Sequence, residues 1–224
     1  MFNELYSDYC VIFDMDGVLA DTGPIHFESW VKLAEEIGVI FTRRMFEQTF
    51  GQQSPTITRK IVGSDVKDSL IKKWADLKES YYRELVKNKL KLLPGVLNIL
   101  KELQVYDFKI ALGSSGPFDN VSFLLAKLNI KQFFNTIITA EDVKRGKPEP
   151  DVFLAAAKSL NLKPKNCIVI EDAPVGIDAA RAAGMLCIAL TTTHKKEELD
   201  GAQLIIKDLS EISVKDIIIL FKKN

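Results

Sequence analysis

Short apolar runs alternate with helical patterns along most of this 224-residue chain, and this alternation limits the possible folds more than any other feature. Residues 9–13 form a continuous apolar run, which is typical of a strand buried on both faces. Comparable runs lie at 108–112, 136–139, 167–170, 186–190 and 204–206. Strand–helix alternation from about residue 92 onward predicts right-handed βαβ units and a parallel sheet with helices on both faces.

Residues 22–91 break this alternation because they carry helix signals but no second strand. Two apolar stripes mark the helices, namely Trp30, Leu33, Ala34 and Ile37 in one and Leu70, Trp74, Leu77 and Tyr81 in the other. We therefore predict an α/β fold in which a Rossmann-like core, residues 1–21 and 92–224, carries an inserted helical cap domain, residues 22–91. Residues 42–91 hold 12 Lys and Arg against 6 Asp and Glu. This excess indicates either a solvated helical face or a positively charged lid over an anionic substrate.

Composition excludes several classes of protein. The chain has 30 basic and 30 acidic residues, whereas a dedicated nucleic-acid binder normally carries a basic excess. Its longest uncharged run, residues 182–194, is too short to span a bilayer. The three cysteines, Cys10, Cys167 and Cys187, each lie in an apolar run and are expected to be buried free thiols. We expect a cytoplasmic protein, by default a monomer, that binds neither membrane nor nucleic acid.

Polar residues follow the predicted strands at the sheet edge where open α/β proteins bind ligands. Strand one is followed by Asp14 and Asp16, strand two by Ser114, the third strand by a loop with Lys147, and the fourth by Glu171 and Asp172. Two carboxylates about 4 Å apart repel by roughly 4 kcal/mol at an effective dielectric near 20. Such a cluster needs a cation, and an all-oxygen ligand set favours Mg²⁺.

The same residues suit phosphoryl transfer. Ser114 and the neighbouring glycine-rich backbone can bind phosphate oxygens, or Ser114 can simply cap the following helix. Glu171 and Asp172 can likewise be helix caps. A carboxylate beside a bound phosphate can attack phosphorus, with Lys147 and the metal offsetting charge repulsion. Asp16 is placed to give and later take a proton.

The motifs together resemble those of the haloacid dehalogenase superfamily, within which the chain is similar to the β-phosphoglucomutase-like subgroup. They are Asp14-Met-Asp16-Gly17-Val18-Leu19-Ala20-Asp21-Thr22, Ser114, Lys147-Pro148 and Glu171-Asp172. The resemblance implies that Asp14 is the nucleophile, Asp16 the general acid and base, and Ser114 and Lys147 phosphoryl ligands. It also implies that Mg²⁺ is held by the Asp14 carboxylate, the Asp16 carbonyl, Asp172 and Glu171.

Two further residues match substrate contacts of this subgroup. His26 matches a histidine near the hinge, and Lys78 matches a cap lysine, although a structural histidine and a surface lysine are the alternatives. Pro55 stands where the mutases carry an arginine that binds a distal phosphate. The resemblance thus implies a Mg²⁺-dependent phosphatase acting on a small phosphorylated metabolite such as a sugar phosphate. A phosphomutase is the second reading, and a non-catalytic regulatory protein on the same scaffold is the third.

Overall fold

A six-stranded parallel sheet forms the centre of the computed structural model, which describes residues 5–87 and 89–223. The strands are β1 (Cys10–Phe13), β2 (Lys109–Gly113), β3 (Thr136–Ile138), β4 (Cys167–Glu171), β5 (Leu186–Leu190) and β6 (Leu204–Ile206). Their order across the sheet is β3-β2-β1-β4-β5-β6. Strands β2 and β3 follow β1 toward one edge of the sheet, and β4, β5 and β6 follow it toward the other edge. The carboxyl ends of β1, β2 and β4 therefore border one crevice.

Nine α-helices accompany the sheet within the part of the chain that the structure describes. They are α1 (Gly23–Ile37), α2 (Arg43–Thr49), α3 (Ser54–Val62), α4 (Asp68–Val86), α5 (Val96–Val105), α6 (Phe118–Lys127), α7 (Asp151–Ser159), α8 (Pro174–Ala182) and α9 (Val214–Lys223). Helices α5, α6 and α9 cover one face of the sheet and α7 and α8 the other. The predicted parallel α/β architecture is confirmed.

Strand β1 shows why the apolar runs are continuous. Val11 and Phe13 pack into the core on the α5 side, whereas Cys10 and Ile12 pack into the core on the α7 side. Side chains alternate between faces along a strand, so burial on both faces requires apolar residues at every position. The three cysteines are buried free thiols, as predicted. No helix among the described residues is both long and apolar enough to cross a bilayer.

Helices α1 to α4 form the inserted block around a separate apolar cluster that includes Trp30, Leu33 and Phe46. The predicted stripe on α4 is shifted, because Leu70 is exposed and the most buried row is Ile71, Ala75, Lys78 and Tyr82. The sequence pattern did not predict this buried row because one of its members is a lysine, which is normally exposed.

The two chain crossings between sheet and helical block lie side by side. Leu93 N–H donates to the Leu19 carbonyl, and Ala20 forms an antiparallel bridge with Leu92. The two crossings are therefore adjacent, and the boundaries between core and cap at 21/22 and 91/92 stay a prediction. Within the predicted domains, residues 1–4, 88 and 224 lie outside the described part of the chain.

Candidate active site

A buried cluster of three carboxylates and one ammonium lies at the carboxyl edge of the sheet. Asp14 directly follows β1, Glu171 ends β4 and Asp172 follows it. One oxygen from each of the three carboxylates lies within 4.8 Å of the others. Lys147 Nζ donates to Asp14 Oδ1 at 2.6 Å and to Glu171 Oε1 at 2.5 Å. The structure therefore brings together residues that are up to 158 positions apart in the sequence.

Hydrogen bonds hold the two carboxylates at the end of β4. Glu171 Oε2 accepts the N–H groups of Asp172 and Ala173, and Asp172 accepts the hydroxyl of Thr193. No side chain caps α8, so the alternative that Glu171 and Asp172 are its caps is wrong. Gly17 has a φ of 80°, and a Cβ there would lie 1.9 Å from Asp172 Oδ2. This close approach explains why a glycine follows Asp16.

Asp16 lies beside the cluster but faces a different set of partners. Thr22 donates its hydroxyl to Asp16 Oδ1 at 2.6 Å, and His26 Nε2 lies 3.1 Å from the same oxygen without the alignment of a hydrogen bond. Asp16 N–H donates to Asp14 Oδ2 at 3.0 Å. With Lys147 on the other oxygen, both oxygens of Asp14 are held. The two aspartates are thus joined by one hydrogen bond, while their carboxylates contact different side chains.

A chain of polar contacts runs from Asp16 into helix α4. Lys78 Nζ lies 2.8 Å from His26 Nδ1 and 3.0 Å from Glu79 Oε1. Lys78 is only 1% exposed, so the alternative of a surface lysine is wrong. Tyr82 stacks on His26 with ring centroids 4.0 Å apart, which fixes the plane of the imidazole. The predicted substrate-side residues His26 and Lys78 are therefore joined to the predicted acid and base.

A cavity with about 460 Å³ of empty space lies between the sheet edge and the helical block. Asp14, Asp16, His26, Lys78 and Ser115 are among the residues that line it, together with an apolar wall that includes Trp30, Phe50 and Ile57. Among the described Lys and Arg side chains of the cap, Lys78 alone lines this cavity.

The two serines after β2 differ in their surroundings. Ser114 is buried and its hydroxyl oxygen accepts Gly116 N–H at 3.0 Å, while Pro117 is the N-cap of α6. The alternative of Ser114 as the helix cap is therefore wrong. Ser115 Oγ is buried without a hydrogen-bond partner and faces the cavity. A hydroxyl left unpaired in this way is available to an anionic ligand.

Burial and charge crowding shift the pKa values of two cluster carboxylates upward. Burial raises the pKa of Asp14 to about 7; Lys147 opposes this rise, and the Glu171 and Asp16 carboxylates add to it. Burial also raises the pKa of Asp172, and repulsion from Glu171 and Asp14 adds to that rise. Charge attraction from Asp14 and Glu171 outweighs burial and raises the pKa of Lys147, so its ammonium stays charged. One ammonium does not balance three carboxylates, and the site has the chemistry of a cation site.

The pKa of Asp16 moves the other way. Burial alone would raise it, but the proximity of His26 and the hydrogen bond from Thr22 lower it to about 2. Burial would also raise the pKa of Glu79, and Lys78 and His26 together lower it. Two neighbouring aspartates with pKa values pushed apart are a common sign of separate roles in acid–base chemistry.

The residues present fit a magnesium ion. Asp14, Glu171 and Asp172 offer hard oxygen ligands at one point, and Mg²⁺ prefers a few carboxylates with retained waters. The Asp16 side chain lies outside this group, and a metal contact through its backbone carbonyl stays a prediction. Bound at this point, Mg²⁺ would supply positive charge against the phosphate oxygens.

Several site residues were missed by sequence reasoning. Thr22 lies within the first motif, and Thr193 lies just after β5, so the strand-end rule could have found Thr193. Glu79 and Tyr82 gave no usable signal, because acidic and aromatic residues are common on an amphipathic helix. Ser115 was not predicted because the sequence does not distinguish it from the adjacent Ser114.

The fold and site define a class, an α/β enzyme with a cap domain and an acidic, metal-competent centre at the end of β1. Residues 11–190 match the model of the haloacid dehalogenase-like hydrolase family. The chain is 33% identical over 202 residues to validoxylamine A 7'-phosphate phosphatase of Streptomyces hygroscopicus subsp. limoneus, covering 90% of this chain and 94% of that protein. It is 34% identical over 212 residues to beta-phosphoglucomutase of Bacillus subtilis (strain 168), covering 91% of each.

A solved structure agrees with these relatives. The crystal structure of beta-phosphoglucomutase from Clostridium difficile superposes with a TM-score of 0.88 at 30% identity, covering 96% of this chain and 97% of that one. The chain belongs to the haloacid dehalogenase-like hydrolase family. The predicted family, its β-phosphoglucomutase-like character and the predicted enzyme class, a phosphoric monoester hydrolase, are confirmed.

Proposed function

We propose that the protein is a Mg²⁺-dependent phosphatase that hydrolyses a small phosphorylated metabolite, such as a sugar phosphate, through an aspartyl phosphate. The observation that carries this proposal is the placement of Asp14. Its carboxylate is held by Lys147 and by the Asp16 backbone, lies within the acidic cluster, and lines a cavity closed by the helical block. A buried, oriented carboxylate beside neutralising charge is suited to attack on phosphorus.

Asp14 and Asp16 would share the chemistry in two steps. In the first, an Asp14 oxygen forms a bond to phosphorus while the bond to the leaving oxygen breaks, and Asp16 gives that oxygen a proton. A phosphoryl group bound beside Asp16 raises the pKa of its carboxyl, which favours the proton-bearing form. In the second step the Asp16 carboxylate takes a proton from water, and the water oxygen displaces Asp14 from phosphorus. Asp14 and Asp16 both line the cavity, and the Asp16 N–H donates to Asp14 Oδ2 at 3.0 Å, a placement that suits both steps.

Other residues would bind and orient. Lys147 would hold Asp14 and offset the charge of the phosphoryl group. Ser114 and the backbone N–H groups after β2 would bind the phosphoryl oxygens. His26 and Lys78 would bind on the leaving-group side and keep Asp16 in place. Contacts in this chain support these proposed roles, which are those that the family resemblance implies.

A phosphomutase is the second candidate because beta-phosphoglucomutases are among the relatives. Pro55 is the second residue of α3, next to Ser54 of the cavity lining, and it offers no charge. Arg59, one turn further, donates to Asp68 and to the carbonyls of Ser64 and Val66, away from the cavity. A mutase must hold a second phosphate, and no replacement for the arginine is found at this position. The phosphatase is therefore preferred.

The proposal includes the setting in which the enzyme works. The partner is a small phosphorylated metabolite, and neither nucleic acid nor membrane is expected to bind. We place the enzyme in the cytoplasm as a monomer. A non-catalytic regulatory role is disfavoured because Asp14, Asp16, Lys147 and Asp172 are all present.

Phosphate release from an aryl phosphate tests the proposal. We expect turnover with Mg²⁺, loss of turnover after chelation with EDTA, and loss of at least about 1000-fold in Asp14→Asn because the nucleophile is removed. Asp65→Asn, which removes an exposed cap carboxylate, is the matched control and should keep wild-type turnover. Wild-type turnover in Asp14→Asn would refute the proposed nucleophile.

Isomer interconversion separates the two candidates. With β-glucose 1-phosphate and a trace of glucose 1,6-bisphosphate, we expect phosphate release to exceed formation of glucose 6-phosphate. Interconversion much faster than phosphate release would make the protein a mutase.

A further inference from the structure

Three consecutive side chains after β5 contact the surroundings of the active site. Thr192 donates its hydroxyl to the Gly17 carbonyl at 2.6 Å, and Thr193 donates to the Asp172 carboxylate. His194, the third, is only 7% exposed and has no part in the proposed chemistry. A buried imidazole normally has hydrogen-bond partners for its ring nitrogens, so the partners of His194 indicate what it does.

His194 joins the sheet core to the helical block formed by α1 to α4. Its Nδ1 lies 3.0 Å from the carbonyl oxygen of Asp172, on the core side. Its Nε2 lies 3.0 Å from the carbonyl oxygen of Glu47, in α2. A carbonyl oxygen can only accept a hydrogen bond, so Nε2 donates to Glu47 when it carries the proton. One imidazole thus connects a residue of the acidic cluster with a helix of the inserted block.

The position of Glu47 in α2 explains why a contact from the core is effective there. Glu47 lies in the last turn of the helix, where backbone carbonyls have no partner further along the helix. Phe50 N–H, just past the end of α2, donates to the Phe46 carbonyl and not to Glu47. His194 therefore offers a donor, from the core, to a carbonyl at the end of α2.

The segment that follows α2 forms part of the wall of the catalytic cavity. Phe50, Gly51 and Gln52 all line this cavity. A Cβ at Gly51 would lie 3.0 Å from Val175 Cγ2 and 3.1 Å from the Ala173 Cβ, so the segment packs directly against the start of α8. Because this segment continues from α2, release of α2 from the core would also move this wall of the cavity.

We propose that His194 is a positioning residue that clamps α2 and residues 50–52 on the core, so that the cavity is closed over Asp14 before substrate binds. This inference rests on the proposed phosphatase function and adds a residue that acts through the helical block. A ligand that binds only the closed form has an apparent affinity reduced by the fraction of protein that is closed. The clamp therefore lowers KM, and it acts through the contact between Nε2 and Glu47.

Two amide substitutions separate the two contacts of His194. The amide nitrogen of glutamine is as many bonds from the backbone as Nε2, and that of asparagine as many as Nδ1. His194→Gln therefore keeps a donor for Glu47, whereas His194→Asn keeps one for Asp172. With an aryl phosphate and saturating free Mg²⁺, we expect His194→Ala and His194→Asn to raise KM by about tenfold or more. Their kcat should stay within about threefold of wild type, and His194→Gln should restore KM to within about threefold.

Trp30 provides a readout that does not depend on catalysis. Its buried side chain lines the catalytic cavity, and Trp74 is the other tryptophan of the chain. In a Trp74→Phe background without substrate, the acrylamide quenching constant of Trp30 should rise at least about twofold in His194→Ala, because release of the block exposes the cavity wall. His194→Gln should quench like the parent. Lys196→Gln, which changes an exposed residue of the same segment, is the control and should alter neither quenching nor KM.

The two measurements distinguish failure of the clamp from failure of the proposed function. Equal KM and equal quenching in His194→Gln and His194→Asn would overturn the clamp, and this comparison decides the question even where His194→Ala does not fold. A raised Mg²⁺ requirement that His194→Asn restores and His194→Gln does not would also overturn it, because His194 would then act through Asp172. Stronger quenching in His194→Ala, with no Mg²⁺-dependent turnover in the wild type, would support the clamp and refute the phosphatase.

Discussion

Asp16 combines two requirements that are hard to meet in one side chain, since it must give a proton early in the reaction and take one later. Its pKa of about 2 in the ligand-free protein suits the later step, and only the charge of a bound phosphoryl group prepares it for the first. Its contacts with Thr22 and His26 hold the carboxylate in position for both.

This division predicts the kinetics of Asp16→Asn. With an aryl phosphate, whose leaving group needs no protonation, Asp14 should still be phosphorylated, so we expect a burst of roughly one aryl alcohol per enzyme. Steady turnover should then fall by at least about 100-fold, because no base activates the water. Stopped-flow absorbance of the aryl alcohol measures both phases. Asp14→Asn should show no burst, and a burst in that variant would contradict the assigned roles.

Helix α8 supplies no catalytic side chain, but its close packing against Glu171 sets the geometry of the site. Gly176 lies in its first turn, and a Cβ at this position would lie 1.9 Å from the carboxylate of Glu171. Alanine at a helical position would otherwise stabilise a helix by roughly 0.5–1 kcal/mol relative to glycine. The steric effect and the propensity effect therefore have opposite signs.

We expect the steric effect to dominate in Gly176→Ala. Displacement of Glu171 should lower the melting temperature and weaken Mg²⁺ binding by about tenfold or more, the size typical for residues that support metal ligands. Mg²⁺ titration of activity and differential scanning calorimetry measure the two effects. Gly38→Ala is the control, because its Cβ would meet nothing within 4 Å while its φ of 72° disfavours alanine, so it should lower the melting temperature and leave Mg²⁺ binding unchanged. Unchanged Mg²⁺ affinity in Gly176→Ala would show that Glu171 does not support the metal.

Local patterns predicted the elements better than the contacts between them. Continuous apolar runs identified all six strands to within about one residue, because a strand buried on both faces leaves no other pattern. Strand ends located Asp14, Lys147 and Glu171 at one edge. The buried row of α4 could not be predicted, since the charges of Lys78 and Glu79 are buried where Lys78 contacts both Glu79 on the same helix and His26 on α1. Burial of charge depends on partners that only the tertiary fold supplies.

At the scale of the whole molecule, the acidic cluster lowers stability in the absence of metal. The raised pKa of Asp14 means that the folded protein binds more protons than the unfolded one between about pH 4 and pH 7. The stability linked to this proton is present below the ordinary pKa of 3.8 and is lost as the pH rises through about 7. Asp172, whose pKa is also raised, acts in the same direction. Asp16, with a lowered pKa, acts in the opposite direction but titrates below about pH 4.

The metal-free protein should therefore lose stability between pH 5 and pH 8, and Mg²⁺ should restore more of it at pH 8, where Asp14 is deprotonated and free to bind the ion. One pKa unit corresponds to about 1.4 kcal/mol, and for a chain of this length each kcal/mol shifts the melting temperature by about 2–4 °C. Asp14→Asn should melt several degrees above the wild type in EDTA at pH 8, yet gain less from Mg²⁺, while Asp65→Asn should follow the wild type. Melting curves across pH with EDTA or Mg²⁺ measure this, and an EDTA-treated wild type that is as stable at pH 8 as at pH 5 would mean that repulsion in the cluster is relieved by something other than the metal. In that case the metal-free site would not lower the stability of the protein at pH 8, and the Lys147 ammonium alone would have to balance the three carboxylates.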